Sequence, residues 1–379
     1  MIKAHKTKGY KSFYISLHRI NDKIIVKNNN LKLKIMKKII TLSMFLVALV
    51  SFAQEETTVE EKKFTLSGSI DAYYRANLNA PNDENSQAPG SSFANLPGFA
   101  LGMANVVASY EGEKVGFVAD LVFGPRGTDA VFASPMYSAT GNIVNQLYAY
   151  WNVSDNVKLT MGNFNTFLGY EVISPVGNFN YSTSYLFSYG PFSHTGLKAD
   201  FTLSDDLSLM VGIMNDTDAT EFNPTGDYAF GAQLGYSGQF LNVLVDPSFL
   251  EIDFTGGFDI SDKFYLGING AYFSGDDDRL DGTGFYGAAL YPQYATSDSF
   301  KIGLRAEYFV EDGDFGAIGT GVPDSSVFAA TLTGSYVINH LTIKPELRLD
   351  SASDNAFLDT DLAPQKSLSS FVLAAIYSF

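Results

Sequence analysis

Residues that commonly carry out enzymatic chemistry are scarce in this chain of 379 residues. It has no cysteine, which excludes thiol nucleophiles and thiolate metal sites. Beyond residue 53 its histidines are His194 and His340, and neither belongs to a Ser/His/acid triad or to a metal-ligand spacing. The sequence therefore predicts that the chain is not an enzyme and holds neither a metal nor a cofactor.

A cluster of acids at Asp276-Asp277-Asp278 with Asp281-Gly282 resembles a calcium-binding loop. The ligand spacing and the closing glutamate of such a loop are missing, so we interpret the cluster as a solvated acidic loop. The formal net charge of the chain is −16, and acidic proteins repel the phosphates of nucleic acids. We therefore expect no nucleic-acid partner.

Most charged residues alternate with apolar ones at the two-residue period of a β-strand. Leu347 and Leu349, for example, alternate with Glu346, Arg348 and Asp350. If the apolar face meets lipid, the charged face must line a lumen, because a charge in the hydrocarbon costs about 2–4 kcal/mol at mid-depth. So many charges are tolerable only in water, which predicts a wet lumen. The pore-lining candidates are Asp71, Arg75, Asp120, Lys158, Lys198, Asp200, Glu251, Asp253, Asp259, Lys301, Arg305, Glu307, Lys344, Glu346, Arg348 and Asp350.

The signs of these charges are unevenly distributed. Bases concentrate on the first, thirteenth and fifteenth segments, whereas Glu251, Asp253 and Asp259 share the tenth. Opposite signs on different walls would create a transverse field across a pore. The alternative is ion pairing between neighbouring strands, and the sequence leaves both open. Acid-rich loops at the mouths predict weak cation selectivity.

Sixteen segments alternate in this way, and the connections between them alternate between tight turns and mostly long polar loops. This pattern predicts an all-β fold, a transmembrane antiparallel up-and-down β-barrel over residues 64–379 with long extracellular loops and short periplasmic turns. A secreted two-sheet sandwich would give no reason for long and short connections to alternate. The short turn at Asp246-Pro247 departs from this rule, so only the alternation of residues predicts the two strands beside it. The segments start near residues 64, 99, 114, 144, 157, 194, 206, 228, 239, 250, 264, 284, 299, 325, 340 and 369.

An export signal precedes the barrel. The longest hydrophobic run, residues 39–52, follows two lysines and ends at Ser51-Phe52-Ala53. This layout is typical of a signal peptide that is cut between Ala53 and Gln54, and the run is too short to span a bilayer comfortably. We assign residues 1–35 to an extended n-region or a start codon placed too early, 36–53 to the signal peptide and 54–63 to a short tail.

The last segment has an apolar face that includes Tyr377 and ends on Phe379, the carboxy-terminal residue. A terminal phenylalanine with an aromatic residue two positions before it resembles the assembly signal of outer-membrane barrels. We therefore expect the chain to engage the barrel-assembly machinery and to reside in the outer membrane of a Gram-negative cell. Whether the barrel is a monomer or a homo-oligomer stays open.

The longest loop, residues 168–192, is rich in aromatic residues and carries almost no charge beyond Glu171. Such a loop should pack against other parts of the protein rather than stay in water. It either caps the rim or folds into the barrel and narrows it. The constriction-loop candidates are Tyr170, Glu171, Asn178, Asn180, Tyr181 and Tyr185.

A family resemblance is carried by this region. The residues that carry it are Gly162-Asn163-Phe164, Gly169-Tyr170-Glu171, Asn178-Phe179-Asn180-Tyr181-Ser182, Pro191 and His194-Thr195-Gly196. Together they resemble the corresponding stretch of the OmpL-like outer-membrane β-barrel porin family. The resemblance implies a channel for passive diffusion of small hydrophilic solutes, with lipid and small polar solutes as its partners. It supplies no catalytic residue. The alternative is a plugged surface or structural barrel whose long loops bind a partner.

Processing gives the first testable prediction. Because the residues before Gln54 fit a signal-peptidase site, the protein recovered from outer membranes should begin at Gln54, as determined by mass spectrometry of its amino terminus. Recovery of residues 1–35 in the mature protein would contradict the assignment.

Overall fold

The computed structural model describes residues 63–90, 93–131, 143–223 and 225–379. Every described residue belongs to one compact unit, residues 60–379. The predicted signal peptide and its cleavage site at Ala53 and Gln54 lie outside the described residues.

Sixteen antiparallel strands close into one barrel, which confirms the predicted fold and strand number. The two strands beside Asp246 are both present. The barrel strands are β1 Lys63–Asn77, β2 Gly98–Glu111, β3 Val115–Phe123, β4 Val144–Ser154, β5 Val157–Asn165, β6 Ser193–Thr202, β7 Leu207–Met214, β8 Ala229–Tyr236, β9 Gln239–Val245, β10 Phe249–Ser261, β11 Phe264–Gly275, β12 Gly284–Ala295, β13 Phe300–Asp312, β14 Ser326–Ile338, β15 Leu341–Ala352 and β18 Ser367–Ser378.

The other regular elements lie in the long loops. A two-stranded sheet is formed by β16 Phe357–Leu358 and β17 Pro364–Gln365, and the helices are α1 Pro125–Ala130, α2 Tyr185–Tyr189 and α3 Asp277–Leu280. Within the described residues, no helix has the length and apolar character needed to cross a membrane.

The two-residue period sorts side chains to the two faces of the wall. On β13, Leu304 and Tyr308 are exposed on the outside, whereas Arg305 and Glu307 are fully buried inside. The same alternation on β15 exposes Leu347 and buries its charged neighbours. Apolar groups therefore face the lipid region and charged groups face the interior, as a membrane barrel requires.

The barrel closes where the first and last strands pair. Ala72 on β1 lies opposite Ala375 on β18. At the end of this seam, the Gly68 amide donates to the Phe379 carbonyl and the Phe379 amide donates to the Gly68 carbonyl, both at 3.0 Å. The Phe379 ring lies beside Gly68, whose missing side chain leaves room for it. The terminal residue thus completes the hydrogen bonding of the seam.

Replacing Phe379 with Asp should block membrane insertion, because it places a charge on the outer face of the closing strand. We expect degraded or periplasmic material and at least a tenfold loss of heat-modifiable protein on gels. Ser378→Asp, next to the carboxy terminus, is the control for added charge alone. Normal heat-modifiable migration of Phe379→Asp would contradict the assembly-signal interpretation.

Candidate functional site

The segment from Thr166 to Phe192, which connects β5 to β6, lies against the inner wall of the barrel. We call it the inner loop. Its contacts are made with inward-facing side chains of β1, β10, β13, β14 and β15 rather than with the rim alone. Atoms of the inner loop therefore cover much of the charged inner face.

Carboxylates of the wall accept hydrogen bonds from the backbone of the inner loop. Glu346 accepts from the amides of Tyr181 at 2.8 Å and Ser182 at 3.2 Å. Glu307 accepts from the amides of Tyr185 at 3.0 Å and Leu186 at 2.8 Å, the first residues of α2. Because a helix leaves its first amides without partners and favours negative charge there, Glu307 fixes where α2 begins.

Cations of the wall bind loop oxygens in the complementary way. Arg305 donates to the Glu171 carboxylate at 2.7 Å in an ion pair whose side chains are 0% and 2% exposed. Lys344 donates to the carbonyl of Pro175 at 3.0 Å, and Arg348 donates to that of Thr183 at 2.8 Å. Removing one partner of such a buried pair costs about 3–5 kcal/mol, so loop and wall are strongly interdependent.

Glycines on the inner face of the wall provide sockets for the rings of the loop. A Cβ atom on Gly303 would lie 2.5 Å from the Phe179 ring, and one on Gly267 would lie 2.3 Å from the Tyr170 hydroxyl. Tyr170 also stacks on Tyr291, with ring centroids 4.2 Å apart. Glycine inside a strand often marks such a close approach.

Tyr181 joins the inner loop to β1 and to α1. Its hydroxyl donates to Asp71 at 2.5 Å, and burial raises the pKa of this phenol, which keeps the donor proton in place. Arg126 of α1 donates to the carbonyl of Tyr181 at 2.9 Å and to that of Ile173 at 2.8 Å. One arginine therefore binds two distant parts of the loop.

The end of the inner loop is held by Asp218, which lies between β7 and β8. Its Oδ1 atom accepts from the amides of Phe192 at 2.9 Å and Ser193 at 2.8 Å. Burial raises the pKa of Asp218 to about 6, although the two amide donors favour its charged form. The last residues of the inner loop are thus tied to the segment between β7 and β8.

The pore-lining candidates fall into two groups. Six of them line two cavities that reach the short-turn side: Lys158, Lys198 and Asp200 in one of about 320 Å³, and Asp259, Lys301 and Lys344 in one of about 690 Å³. Lys344 is nevertheless buried, and so are the remaining candidates, most of them against the inner loop; these are Asp71, Arg75, Asp120, Glu251, Asp253, Arg305, Glu307, Glu346, Arg348 and Asp350.

Among the described residues, the ion pairs of the polar wall lie within one strand or join a strand to the inner loop. Arg348 pairs with Asp350 of its own strand at 2.8 Å, and Arg305 pairs with the inner loop. Asp253 accepts from the amides of Asn242 and Asn269, both at 2.6 Å. The wall therefore uses its charges chiefly to hold the loop.

The constriction-loop candidates all make contacts within this arrangement. Asn180 donates to Thr333 at 2.7 Å, Asn178 stabilises the loop through Val172, and the Tyr185 ring lies under the Arg348 guanidinium. Sequence reasoning missed Arg126 and the socket glycines. Only inward glycines on otherwise regular strands could have indicated a close partner.

The two histidines considered from the sequence pack against other side chains of the barrel. His194 is fully buried with its Nε2 atom 3.0 Å from the Thr166 hydroxyl, and His340 packs on Tyr377. Within the described residues, no group of three or more His, Cys, Asp or Glu side chains could hold a metal ion.

Comparison with known families gives one match over residues 63–379, to the family described as putative beta-barrel porin-2, OmpL-like. No curated protein sequence matches. The fold is similar to the outer-membrane channel DcaP of Acinetobacter baumannii, at 14% identity and TM-score 0.57, covering 86% of this chain and 100% of that one.

Two further solved structures share the fold. The loop L8 deletion mutant of OmpT, an outer-membrane protein of Vibrio cholerae, is 11% identical with TM-score 0.55 and 84% and 100% coverage. The anion-selective porin from Comamonas acidovorans is 12% identical with TM-score 0.54 and the same coverage.

The sockets predict how the inner loop can be loosened. Replacing Gly303 with Ala should displace the Phe179 ring and cost about 1–3 kcal/mol, which corresponds to roughly tenfold faster chymotrypsin cleavage within the loop. Gly270→Ala is the matched control, because a Cβ atom there meets nothing closer than 3.9 Å. Equal cleavage rates in the two variants would show that the socket does not hold the loop.

Proposed function

The chain belongs to the OmpL-like family of β-barrel porins, and from this premise we propose that small hydrophilic solutes diffuse passively through its barrel, past the inner loop. The observation that carries the proposal is the docking of that loop by wall charges, together with charged residues left exposed in lumen cavities. Asp259, Lys158 and Lys301 remain accessible to water there. Polar, solvated surfaces are what a diffusing hydrophilic solute needs.

The inner loop would act as the constriction. It fills much of the lumen and is fixed by buried ionic contacts, so the barrel alone does not determine the width of the passage. Tyr170, Glu171, Asn178, Asn180, Tyr181 and Tyr185 would contribute to the constriction by holding the loop in this position.

A weak preference for cations belongs to the same proposal. The loops opposite the short turns carry many acids, such as Asp129, Asp227 and Asp354, and acid-rich mouths enrich cations locally. The Comamonas acidovorans protein is anion-selective, but a likeness at 12% identity concerns the fold. Selectivity must be derived from the charges of this chain.

Lipid surrounds the barrel, whose outer face is apolar. We also propose that the seam at Phe379 is recognised by the barrel-assembly machinery, and that identical chains can associate through the outer face. The family and fold are those of a channel, and we assign no catalytic activity. The alternative, a plugged barrel whose long loops bind a partner, is separated from a porin by conductance.

Deletion of residues 175–187 with a short Gly/Ser link tests the proposal. The parent should conduct in a planar bilayer, and the deletion should raise the single-channel conductance at least twofold and admit larger sugars in liposome swelling. The wall charges that lose loop partners would return to water, so the barrel should still fold. An internal control is insertion of the same link into the long loop at Thr320, outside the lumen contacts described above.

Two outcomes would contradict the proposal. A folded parent that does not conduct, beside a deletion variant that does, would indicate a plugged barrel. A folded deletion variant that conducts like the parent would show that another element limits the passage.

A further inference from the structure

The inner loop is held differently on its two sides. Toward β10, β13 and β15 it makes charge-assisted hydrogen bonds with residues such as Asp253, Glu307 and Glu346. Toward β2 and β3 it packs through apolar side chains. These form what we call the apolar layer: Met103, Val122, Ala130, Val131, Ile173, Phe187 and Phe192, with Phe93 against them.

A cavity lies on the outer side of the apolar layer. It has a volume of about 480 Å³ and is lined by residues that include Asn95, Thr128 and Asp129. Phe93 and Phe192 belong both to its lining and to the layer. The layer therefore forms the floor of a space on the long-loop side.

A polar surface begins just beneath the layer. Val122 is fully buried in the layer, and Asp120 is the next residue of β3 on the same face, about 7 Å along the strand. Asp120 is paired in register with Gln146, which lines the 320 Å³ cavity on the short-turn side. The apolar layer and Asp120 thus lie between the two cavities.

Asp120 is held by neutral groups. Its oxygens accept from the side-chain amides of Asn105 at 3.3 Å and Asn145 at 2.7 Å. Two amides position the carboxylate without neutralising its charge, so it can attract a passing cation.

We propose that the permeation path descends along β2 to β5, with the apolar layer as its narrowest point and Asp120 as the residue that favours cations. The proposal rests on the porin function proposed above and adds the route that solutes take through the barrel. The side chains of the layer meet through van der Waals contacts, whereas Arg126 and Asp218 hold the backbone of Ile173 and Phe192. Separating these side chains therefore breaks no ion pair. On the opposite side, opening a path would separate Arg305 from Glu171. Narrow apolar constrictions resist wetting and limit ion flow.

A pair of isosteric variants tests the route. Val122 and Val327 are both fully buried on the inner face, but Val327 packs in a separate cluster with Phe285, Phe309 and other residues. Val122→Thr should make the layer easier to wet and raise single-channel conductance at least twofold, whereas Val327→Thr should leave it unchanged. Equal effects of the two substitutions would overturn the proposal.

A second pair tests the charge and does not depend on the first. Asp120→Asn should lower the potassium-over-chloride preference at least twofold in reversal-potential measurements. Glu311→Gln should not change it, because Glu311 is a buried carboxylate on β13 that accepts from the Ile318 amide at 2.9 Å rather than from an amide of the inner loop. The reverse result would place the path beside β13. Heat-modifiable migration establishes that each variant is folded. If the folded wild type passes neither ions nor sugars, the porin proposal itself fails. The route alone fails if the wild type conducts but the variants do not differ as expected.

Discussion

Charges on the inner face of this barrel need partners, and this need determines how the loop and the wall fit together. Because the outer face meets lipid, each strand must turn its charged residues inward. The inner loop then displaces water from many of them. A buried charge without a partner is costly, so the loop can dock only where its amides and carbonyls meet the wall. Glu307 accepts from an amide at the start of α2, and Lys344 donates to the Pro175 carbonyl, so both charges have partners in the loop.

The same requirement explains why small and large changes to the site should differ in their effects. A substitution that removes Glu171 alone would leave Arg305 buried beside an empty position, and such unpaired charges are among the most destabilising changes. Removal of the whole central part of the loop would instead return the wall to water, where charges are solvated. We therefore expect the strands to fold without the central part of the loop, whereas removal of a single partner leaves a buried charge unpaired.

Much of the fold could be predicted from the sequence, because the two-residue period is local. Leu347, Arg348 and Leu349 already show which face each side chain takes, and the alternating connections indicate a barrel. The site could be predicted less well. The partner of Arg305 is 134 positions away in the sequence, so no local pattern shows that this arginine is dry rather than solvated. Gly303 likewise lacks a side chain because the Phe179 ring, from a distant part of the chain, occupies that space.

The difference between the two sides of the inner loop follows from the same physics. Buried ion pairs and bidentate carboxylates fix position well, but they cannot be separated without exposing unpaired charge in a dry environment. The side that carries them is therefore suited to hold the loop and poorly suited to let solutes pass. Packing of Phe187 and Phe192 on Met103 and Val122 has no such directional requirement, and thermal motion can open it at lower cost. A barrel that both anchors a loop and conducts past it needs these two kinds of contact on different strands, and this distribution of residues supplies them.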